Sequence, residues 1–333
     1  MVNKIKILDC TLRDGGYVND WQFGDQNAKE ITQLISISGV DYVEVGFIKL
    51  CDYIKDKIQF DSMEQVANLF KPSTQKLSLI VEVGYGYPVS NFPECSENTV
   101  DLVRVIMWKR MLKEGLDYCR MLKQKGYEVS VQATRTEQYT LEEFAEVCQM
   151  FNEIEPDALY IVDTFGLLTK EHLLEYAEVA DKYLKSTITL GYHAHNNMQQ
   201  AYTNAVAFIE HQWNRDIMID ASVFGMGRGA GNLCLELILQ YLNQQHSINY
   251  NIQPLYEVMD KYLSLIYQQT PWGYSMPYQL SAINGRNPSY VSFMQEQGVT
   301  ISQMEQVFQM MKANNVGITY DEEMCMNIIK TLR

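Results

Sequence analysis

Short apolar segments recur along the first three-quarters of the chain, separated by stretches with apolar residues at three- and four-residue spacing. Most of the segments are continuous apolar runs, which is typical of parallel strands buried on both faces. In the stretches between them, the spacing of the apolar residues is typical of helices with one buried face. Eight strands are predicted, at Ile5–Cys10, Tyr42–Phe47, Leu77–Val83, Leu102–Met107, Glu128–Ala133, Ala158–Val162, Thr187–Tyr192 and Met218–Val223.

Helices are predicted between these strands. Thr140 opens one of them at 140–154, and Glu143 follows three residues later, which is the pattern of a capping box. Strands that alternate with helices over about 245 residues predict an α/β fold, the TIM (β/α)8 barrel. The alternative is an open doubly wound sheet, which commonly carries a glycine-rich nucleotide loop after its first strand, and no such loop stands there. Further helices are predicted at 25–38, 169–184 and 232–244.

The last quarter of the chain differs in composition, because it is rich in Tyr, Gln, Met and Asn. Helices are predicted at 255–267, 301–314 and 321–330, with proline and glycine between them. We therefore expect a (β/α)8 barrel catalytic domain at 1–248 and a small helical C-terminal domain at 249–333.

The amino-acid composition of the chain limits the classes of molecule that it is expected to bind. A formal net charge of −14 argues against a nucleic-acid partner, which would call for a basic face. No apolar run approaches the ~18 residues of a membrane helix, and the first residues lack the apolar stretch of a signal peptide. The seven cysteines are scattered without CxxC spacing and are expected to be reduced thiols. We expect a cytoplasmic protein.

The predicted first strand ends in an acidic and a basic residue that stand side by side, Arg13 and Asp14, just before two glycines. In a barrel the active site lies where strands end and the following loops begin. A carboxylate at this place can bind a metal, and a guanidinium beside it can stabilise an oxyanion. The alternative is a solvated turn with a salt bridge.

The predicted seventh strand ends in two of the five histidines of the chain, His193 and His195. Residues at i and i+2 of a strand point to the same face, here into the barrel mouth. Together with Asp14 they predict a site with two nitrogen ligands and one oxygen ligand. Such a site suits Mn²⁺, Mg²⁺, Fe²⁺, Co²⁺ or Zn²⁺.

The predicted eighth strand runs into a segment with four glycines, Gly225 to Gly231, which allows the backbone to approach a ligand closely. Asn232 follows this segment. It either caps the next helix or offers its amide oxygen to the metal, and the sequence leaves both open.

Three further polar residues lie on or at the end of predicted strands. Glu44 stands among apolar residues of the second strand and needs a buried partner, for which Arg13 is the natural candidate. Asp163 and Thr164 follow the sixth strand. They are candidates for binding the substrate or for orienting a ligand histidine.

Three motifs resemble the DRE-TIM metallolyases, a superfamily that includes 3-hydroxy-3-methylglutaryl-CoA lyase and 4-hydroxy-2-oxovalerate aldolase. They are Thr11-Leu12-Arg13-Asp14-Gly15, His193-Ala194-His195 and the glycine segment that ends at Asn232. Asp220-Ala221-Ser222 and the helical C-terminal region are most similar to the 4-hydroxy-2-oxovalerate aldolases. The resemblance covers about 4–243.

The resemblance implies a divalent metal, with Mn²⁺ favoured over Mg²⁺, Co²⁺ or Zn²⁺, held by Asp14, His193 and His195. Asn232 matches an additional ligand of the CoA lyase branch, and Arg13 stabilises an enolate. The implied reaction cleaves a 4-hydroxy-2-oxo acid into pyruvate and an aldehyde, or runs in the reverse direction. In the aldolases the C-terminal domain contacts an acylating aldehyde dehydrogenase; closure of the barrel mouth or a homodimer are the other expectations for this region.

The chain departs from the family's pattern in its proton-transfer residue. Tyr17 stands where the aldolases carry a histidine that acts as general base. An ordinary tyrosine pKa of about 10 is poorly suited to a base at neutral pH. Tyr17, a metal-bound hydroxide and Asp20 are the candidates for the base. The predicted catalytic residues are Arg13, Tyr17 and Glu44.

Two other functions stay open. An acyl-CoA lyase or Claisen-type synthase of the same superfamily is the first; the CoA lyases carry a cysteine in the loop where this chain has Met226 and Arg228. A non-catalytic barrel subunit of an assembly is the second. Positive residues near the predicted strand ends also suggest a substrate with a second carboxylate or a phosphate, with ordinary surface charge as the alternative. These residues are Arg13, Lys49, Lys109, Arg135 and Arg228.

Overall fold

A closed barrel of parallel strands forms the centre of the computed structural model, which describes residues 3–71 and 73–332. Eight strands follow one another around the barrel in the order β1-β2-β4-β5-β6-β7-β8-β9, and β9 pairs with β1 to close it. The predicted TIM barrel is confirmed. The strands are β1 (Ile5–Asp9), β2 (Tyr42–Ile48), the short edge strand β3 (Gln59–Phe60), β4 (Lys76–Glu82), β5 (Leu102–Met107), β6 (Glu128–Ala133), β7 (Ala158–Asp163), β8 (Thr189–Ala194) and β9 (Ile217–Ala221).

Helices surround the barrel and continue into the C-terminal region. The predicted capping box is confirmed, because Thr140 accepts from the backbone of Glu143 and Glu143 accepts from the backbone of Thr140. The helices are α1 (Thr11–Asn19), α2 (Asp25–Ile37), α3 (Met63–Phe70), α4 (Leu112–Gln124), α5 (Leu141–Phe151), α6 (Lys170–Tyr183), α7 (Ala201–Glu210), α8 (Leu235–Gln245), α9 (Gln253–Val258), α10 (Ser264–Gln269), α11 (Met276–Ile283), α12 (Ser289–Glu296), α13 (Ile301–Ala313) and α14 (Glu322–Thr331). No helix in the described part of the chain is both long and apolar enough to cross a membrane.

The sequence pattern did not predict β3, α11, α12 or helix α1, and of these α1 carries residues of the candidate site. The two glycines after Asp14 suggested a turn, yet both lie inside this helix. They are needed for close packing: a Cβ atom on Gly16 would lie 2.1 Å from the Trp21 ring, and one on Gly15 would lie 2.8 Å from the Met226 sulfur. Arg13 and Asp14 are therefore held on a buried first turn of helix.

The C-terminal region is helical, as expected, and it is divided between two hydrophobic clusters. Leu255 and Val258 of α9 belong to the cluster of the barrel. A second cluster is formed by the last three helices, from Tyr290 to Ile329. The boundary between 248 and 249 stays a prediction.

Candidate metal centre and active site

Three side chains converge at the carboxyl ends of β1 and β8. Asp14, His193 and His195 each offer one ligand atom, and these atoms lie within 4.8 Å of one another. The Nε2 atoms of His195 and His193 lie 3.6 Å and 4.0 Å from Asp14 Oδ2. Asp14 and His193 are buried, with 2% and 4% of their surface exposed. The spacing and the donor set fit a divalent cation, as the sequence predicted.

Both histidines are oriented through the opposite ring nitrogen. Nδ1 of His195 lies 2.9 Å from the backbone carbonyl of Asp163, and Nδ1 of His193 lies 2.8 Å from a carboxylate oxygen of Asp220. A carbonyl can only accept, so Nδ1 of His195 carries the proton and Nε2 keeps its lone pair for a metal. Burial lowers the pKa of His193, with Asp220 acting in the opposite direction. Both imidazoles can therefore present Nε2 to the same point.

Asp14 is held in its charged form. Burial by itself would raise its pKa, but the Arg13 guanidinium and the His195 imidazole bring the pKa well below its usual range. Arg13 Nη1 lies 2.5 Å from Asp14, and Arg13 Nε lies 2.6 Å from Glu44. The predicted pairing of Glu44 with Arg13 is confirmed. The Asp14 carboxylate and the Arg13 guanidinium are thus fixed by one buried network.

Sequence reasoning gave no role in the site to the two residues that extend this network across the barrel, although Asp220 belongs to one of the motifs that carry the resemblance. Arg104 of β5 is fully buried, donates to Glu44 over 2.9 Å and also pairs with Asp220. Asp220 of β9 accepts from the Tyr160 hydroxyl over 2.8 Å and from His193. The one available signal was a lone arginine inside an apolar strand, which needs a buried anion. The positive charge of Arg104 pairs with two carboxylates: that of Glu44, which holds Arg13, and that of Asp220, which orients His193.

Asn232 lies in the loop before α8 and contacts the metal cluster. Its Nδ2 donates to Asp14 Oδ2 over 2.6 Å and to the Met226 carbonyl over 3.1 Å, while its Oδ1 is buried and has no partner among the described residues. The capping interpretation is wrong, because α8 begins at Leu235 and has Cys234 at its N-cap. Gly227 packs directly against the Asn232 side chain, and a larger residue would not fit, because a Cβ atom on Gly227 would lie 2.3 Å from Asn232 Nδ2.

Tyr17 lies on α1, one turn after Asp14. Desolvation within the mouth raises the pKa of Tyr17 to about 12, although 41% of the residue's surface is exposed. The Arg228 guanidinium lies 5.3 Å from the centre of the ring and opposes this rise. The phenol is therefore protonated at neutral pH. Asp20, another candidate base, is engaged in an ion pair with Lys57 at 2.7 Å.

The last residue of β7, Asp163, and the residue after it, Thr164, have backbone partners. The Asp163 carboxylate accepts from the N–H groups of Leu167 and Leu168, at 2.8 Å and 3.2 Å. The Thr164 hydroxyl accepts from the N–H group of Arg135 at 2.8 Å. Orientation of His195 comes from the Asp163 carbonyl rather than its carboxylate. A role of Asp163 or Thr164 in binding the substrate stays a prediction.

A (β/α)8 barrel with two histidines and an aspartate converging at the carboxyl ends of its strands belongs to the class of metal-dependent barrel enzymes. The model of the HMGL-like family matches residues 4–261. The chain belongs to this family.

Known relatives narrow the class further. The chain is 25% identical over 262 residues to a 4-hydroxy-2-oxovalerate aldolase of Geobacillus genomosp. 3, covering 77% of this chain and 75% of the relative. It is similar to the solved N-terminal domain of a proposed aldolase from Bacteroides vulgatus, with a TM-score of 0.71, 25% identity and coverage of 90% and 99%. HMG-CoA lyase of Bacillus subtilis shares the fold, with a TM-score of 0.62, 15% identity and coverage of 81% and 95%. The predicted carbon–carbon lyase class is confirmed.

Proposed function

We propose that the protein is a divalent-metal-dependent aldolase that cleaves a 4-hydroxy-2-oxo acid into pyruvate and an aldehyde, or joins the two. The observation that carries this proposal is the convergence of His193 and His195 Nε2 on the Asp14 carboxylate, with Arg13 beside it. The names of the aldolase relatives support it.

The cation would be held by Asp14, His193 and His195, and we propose Mn²⁺, with Mg²⁺, Co²⁺ or Zn²⁺ as alternatives. When bound, it supplies Lewis acidity that stabilises negative charge on the oxygens of a 2-oxo acid. We assign Asn232 as the additional donor, because its Oδ1 is buried and has no partner among the described residues. A buried amide oxygen in that state is rare unless a ligand satisfies it.

Arg13 is suited to stabilise the enolate that C–C cleavage leaves behind. Its Nε and Nη1 are fixed by Glu44 and Asp14, and its Nη2 donates to none of the described residues. A guanidinium held in place by two carboxylates needs no reorganisation when negative charge develops next to it. Glu44 is thus a positioning residue for Arg13.

Tyr17 is suited to give a proton rather than to take one. With its pKa raised to about 12, the phenol is neutral at physiological pH. We therefore propose that Tyr17 donates the proton that converts the enolate carbon into the methyl group of pyruvate in the cleavage direction. The substrate 4-hydroxyl group releases its proton to water as the C–C bond breaks, and water re-protonates Tyr17 afterwards, so that the cleavage balances. In the reverse direction only the phenolate form of Tyr17 would take the proton from the methyl group.

The test is a substrate panel. The purified protein is incubated with Mn²⁺ and either 4-hydroxy-2-oxo acids or acyl-CoAs, and release of pyruvate or of CoA is followed. The proposal predicts pyruvate, and loss of both metal and turnover in His193→Ala. Release of CoA would favour the acyl-CoA lyase, and the absence of either product would favour the non-catalytic subunit.

We also propose a protein partner for the C-terminal region, either a second copy of the chain or an aldehyde dehydrogenase. Large apolar side chains are exposed there, among them Leu265, Tyr274 and Met276. Such side chains on a surface favour a protein interface. All seven cysteines are free, which supports a reducing compartment such as the cytoplasm.

A further inference from the structure

The arginines of this acidic protein divide into two groups. In the described part of the chain, four arginines form an ion pair with a carboxylate within 4 Å, and four do not. The paired ones are Arg13, Arg104, Arg120 and Arg215. The unpaired ones are Arg110, Arg135, Arg228 and Arg286. The chain has a net charge of −14, so these four arginines form a local group of positive charge in an acidic protein.

The unpaired arginines gather on the mouth side of the barrel. Arg110 and Arg135 follow β5 and β6, and both lie against the Trp108 ring, at 5.8 Å and 4.8 Å from its centre. Arg228 follows β9 and is joined to the C-terminal region through the Asn287 side chain at 2.6 Å. Arg286 is the neighbour of Asn287. Three barrel loops and one loop of the C-terminal region thus bring positive charge to one place.

Arg135 is the most constrained member. Only 5% of its surface is exposed, and its guanidinium lies between the rings of Trp108 and Phe165, at 4.8 Å and 4.7 Å. Its Nη2 donates to the Ile318 carbonyl at 3.1 Å, and its Nε is buried without a partner among the described residues. Burial lowers its pKa, Glu137 opposes this change, and Arg228 and Arg286 lower the pKa further. A buried guanidinium without an anion is costly unless a bound anion completes it.

Two carboxylates of this region lie near the arginines without forming an ion pair with them in the described part of the chain. Glu82 accepts from the Trp108 indole at 2.6 Å, and burial raises its pKa. Burial also raises the pKa of Glu137 to about 8, which leaves it largely protonated at neutral pH. The sequence placed Lys109 in the positive group. Lys109 forms an ion pair with Glu143 at 2.6 Å and therefore does not belong to that group.

One member of the positive group lies close to the candidate metal centre. Asp14 and Tyr17 are one helical turn apart, and the Arg228 guanidinium covers the Tyr17 ring at 5.3 Å. Arg228 thus lies next to a residue that stands one helical turn beyond Asp14. Guanidinium groups bind carboxylates and phosphates through paired hydrogen bonds.

We propose that Arg135 and Arg228 bind an anionic group, a carboxylate or a phosphate, on the aldehyde half of the substrate. The preferred aldehyde is therefore anionic. This inference rests on the proposed aldolase function, and it adds the chemical class of the second substrate and the residues that select it. The Trp108 ring packs against the Arg135 guanidinium and holds it in place.

The specificity test uses matched aldehydes in the synthetic direction. The Mn²⁺-loaded enzyme is given pyruvate with glyceraldehyde or glyceraldehyde 3-phosphate, and with butanal or succinic semialdehyde. The phosphate and carboxylate pairs separate the two sources of negative charge. We expect kcat/KM to favour the anionic member of at least one pair by about 100-fold, the scale of one or two charge-assisted contacts. Equal values within threefold for both pairs would overturn the proposal.

Arg135→Gln and Arg228→Gln test the assignment of residues. Each is expected to lower the ratio of kcat/KM for the anionic over the neutral aldehyde by about tenfold or more. Arg120→Gln is the matched control, because Arg120 lies on α4 and is paired with Asp117 and Glu153. It should leave the ratio unchanged. If the two arginines only fasten the C-terminal region, both aldehydes lose rate equally and the ratio stays constant, which would contradict the proposal.

A binding measurement separates this inference from the proposed reaction. Inorganic phosphate and succinate are titrated into EDTA-treated protein, and the tryptophan fluorescence is followed. We expect saturable binding of at least one anion, weakened about tenfold or more when Arg135 and Arg228 are both glutamine, and unchanged in Arg120→Gln. Binding without any aldolase activity would uphold the anion site and count against the reaction. No binding, or equal binding by the double variant, would overturn the anion site.

Discussion

The Nδ1 atom of His193 lies 2.8 Å from a carboxylate oxygen of Asp220, so that Nε2 faces Asp14. Burial opposes the ionisation of Asp220, yet Arg104 and His193 lower its pKa, and the carboxylate is therefore charged and accepts the imidazole proton. Asp220 in this way fixes both the orientation and the tautomer of a proposed ligand histidine without touching the proposed metal position itself.

Replacement of Asp220 by asparagine is expected to weaken Mn²⁺ binding about 10- to 100-fold, the range found when the partner of a ligand histidine is removed. Isothermal titration of the EDTA-treated protein measures it. Asp216→Asn, on the same segment but paired with Lys6 at the opposite end of the barrel, is the control. Tyr160→Phe removes another bond to Asp220 and should give a smaller loss, which keeps the test informative if Asp220→Asn folds poorly. Unchanged affinity in both variants would contradict the role of Asp220.

Asn232→Asp places a second carboxylate 2.6 Å from Asp14 Oδ2. Without metal the two like charges repel, so the melting temperature in EDTA should fall by several degrees. With Mn²⁺ the extra anionic donor should increase the metal-induced rise in melting temperature above that of the wild type. Asn68→Asp on the exposed face of α3 is the control. A smaller rise than in the wild type would argue against Asn232 as a donor.

Tyr17→Phe removes the phenolic proton and keeps the ring under Arg228. We expect kcat for pyruvate release to fall by about 10²-fold or more, because a positioned proton donor contributes on that scale. Mn²⁺ affinity should stay within twofold, since Tyr17 is not a ligand. Tyr202→Phe on the exposed surface of α7 is the control. A full rate in Tyr17→Phe would assign the proton transfer to another group.

Glu137 predicts a pH dependence of stability. Burial raises its pKa from about 4.5 to about 8, so the folded state holds its proton more tightly than the unfolded chain does. The stability that comes from this proton is complete below about pH 4 and is lost as the pH rises through 8.

The variant Glu137→Gln cannot ionise and escapes that loss. Its free energy of unfolding in urea should exceed that of the wild type increasingly from pH 5 to 8, by about 2 kcal/mol at pH 8.5 after allowance for partial exposure. Glu146→Gln on the exposed face of α5 should show no such trend. A constant difference across this pH range would mean that Glu137 is already charged in the folded protein.

The convergence of the ligand trio could be predicted from the sequence for a geometric reason. Parallel strands of a barrel end at the same face, so Asp14 after the first strand and the two histidines at the end of the seventh strand had to meet there. The pairing of Glu44 with Arg13 followed from the same reasoning, because neighbouring strands carry both residues.

The contacts of Arg104 could not be predicted, because they reach across the barrel. Arg104 and Asp220 are separated by 116 positions in the chain, and their meeting depends on the register of every strand between them. Helix α1 was missed because Gly15 and Gly16 suggest a turn, whereas Trp21 and Met226, which require their small size, are brought there by the tertiary fold. The local sequence pattern predicts the strand on which a residue lies, whereas the tertiary packing decides which residues it contacts.

The central claim is that one divalent cation held by Asp14, His193 and His195 enables cleavage of the carbon–carbon bond. The most direct test titrates Mn²⁺ into EDTA-treated enzyme with a 4-hydroxy-2-oxo acid present, following bound Mn²⁺ by electron paramagnetic resonance and pyruvate release in the same sample. We predict no turnover without metal, a rate that rises in proportion to bound Mn²⁺ and saturates near one ion per chain, and neither signal in His193→Ala. Turnover that persists in EDTA, or undiminished Mn²⁺ binding by His193→Ala, would contradict the account.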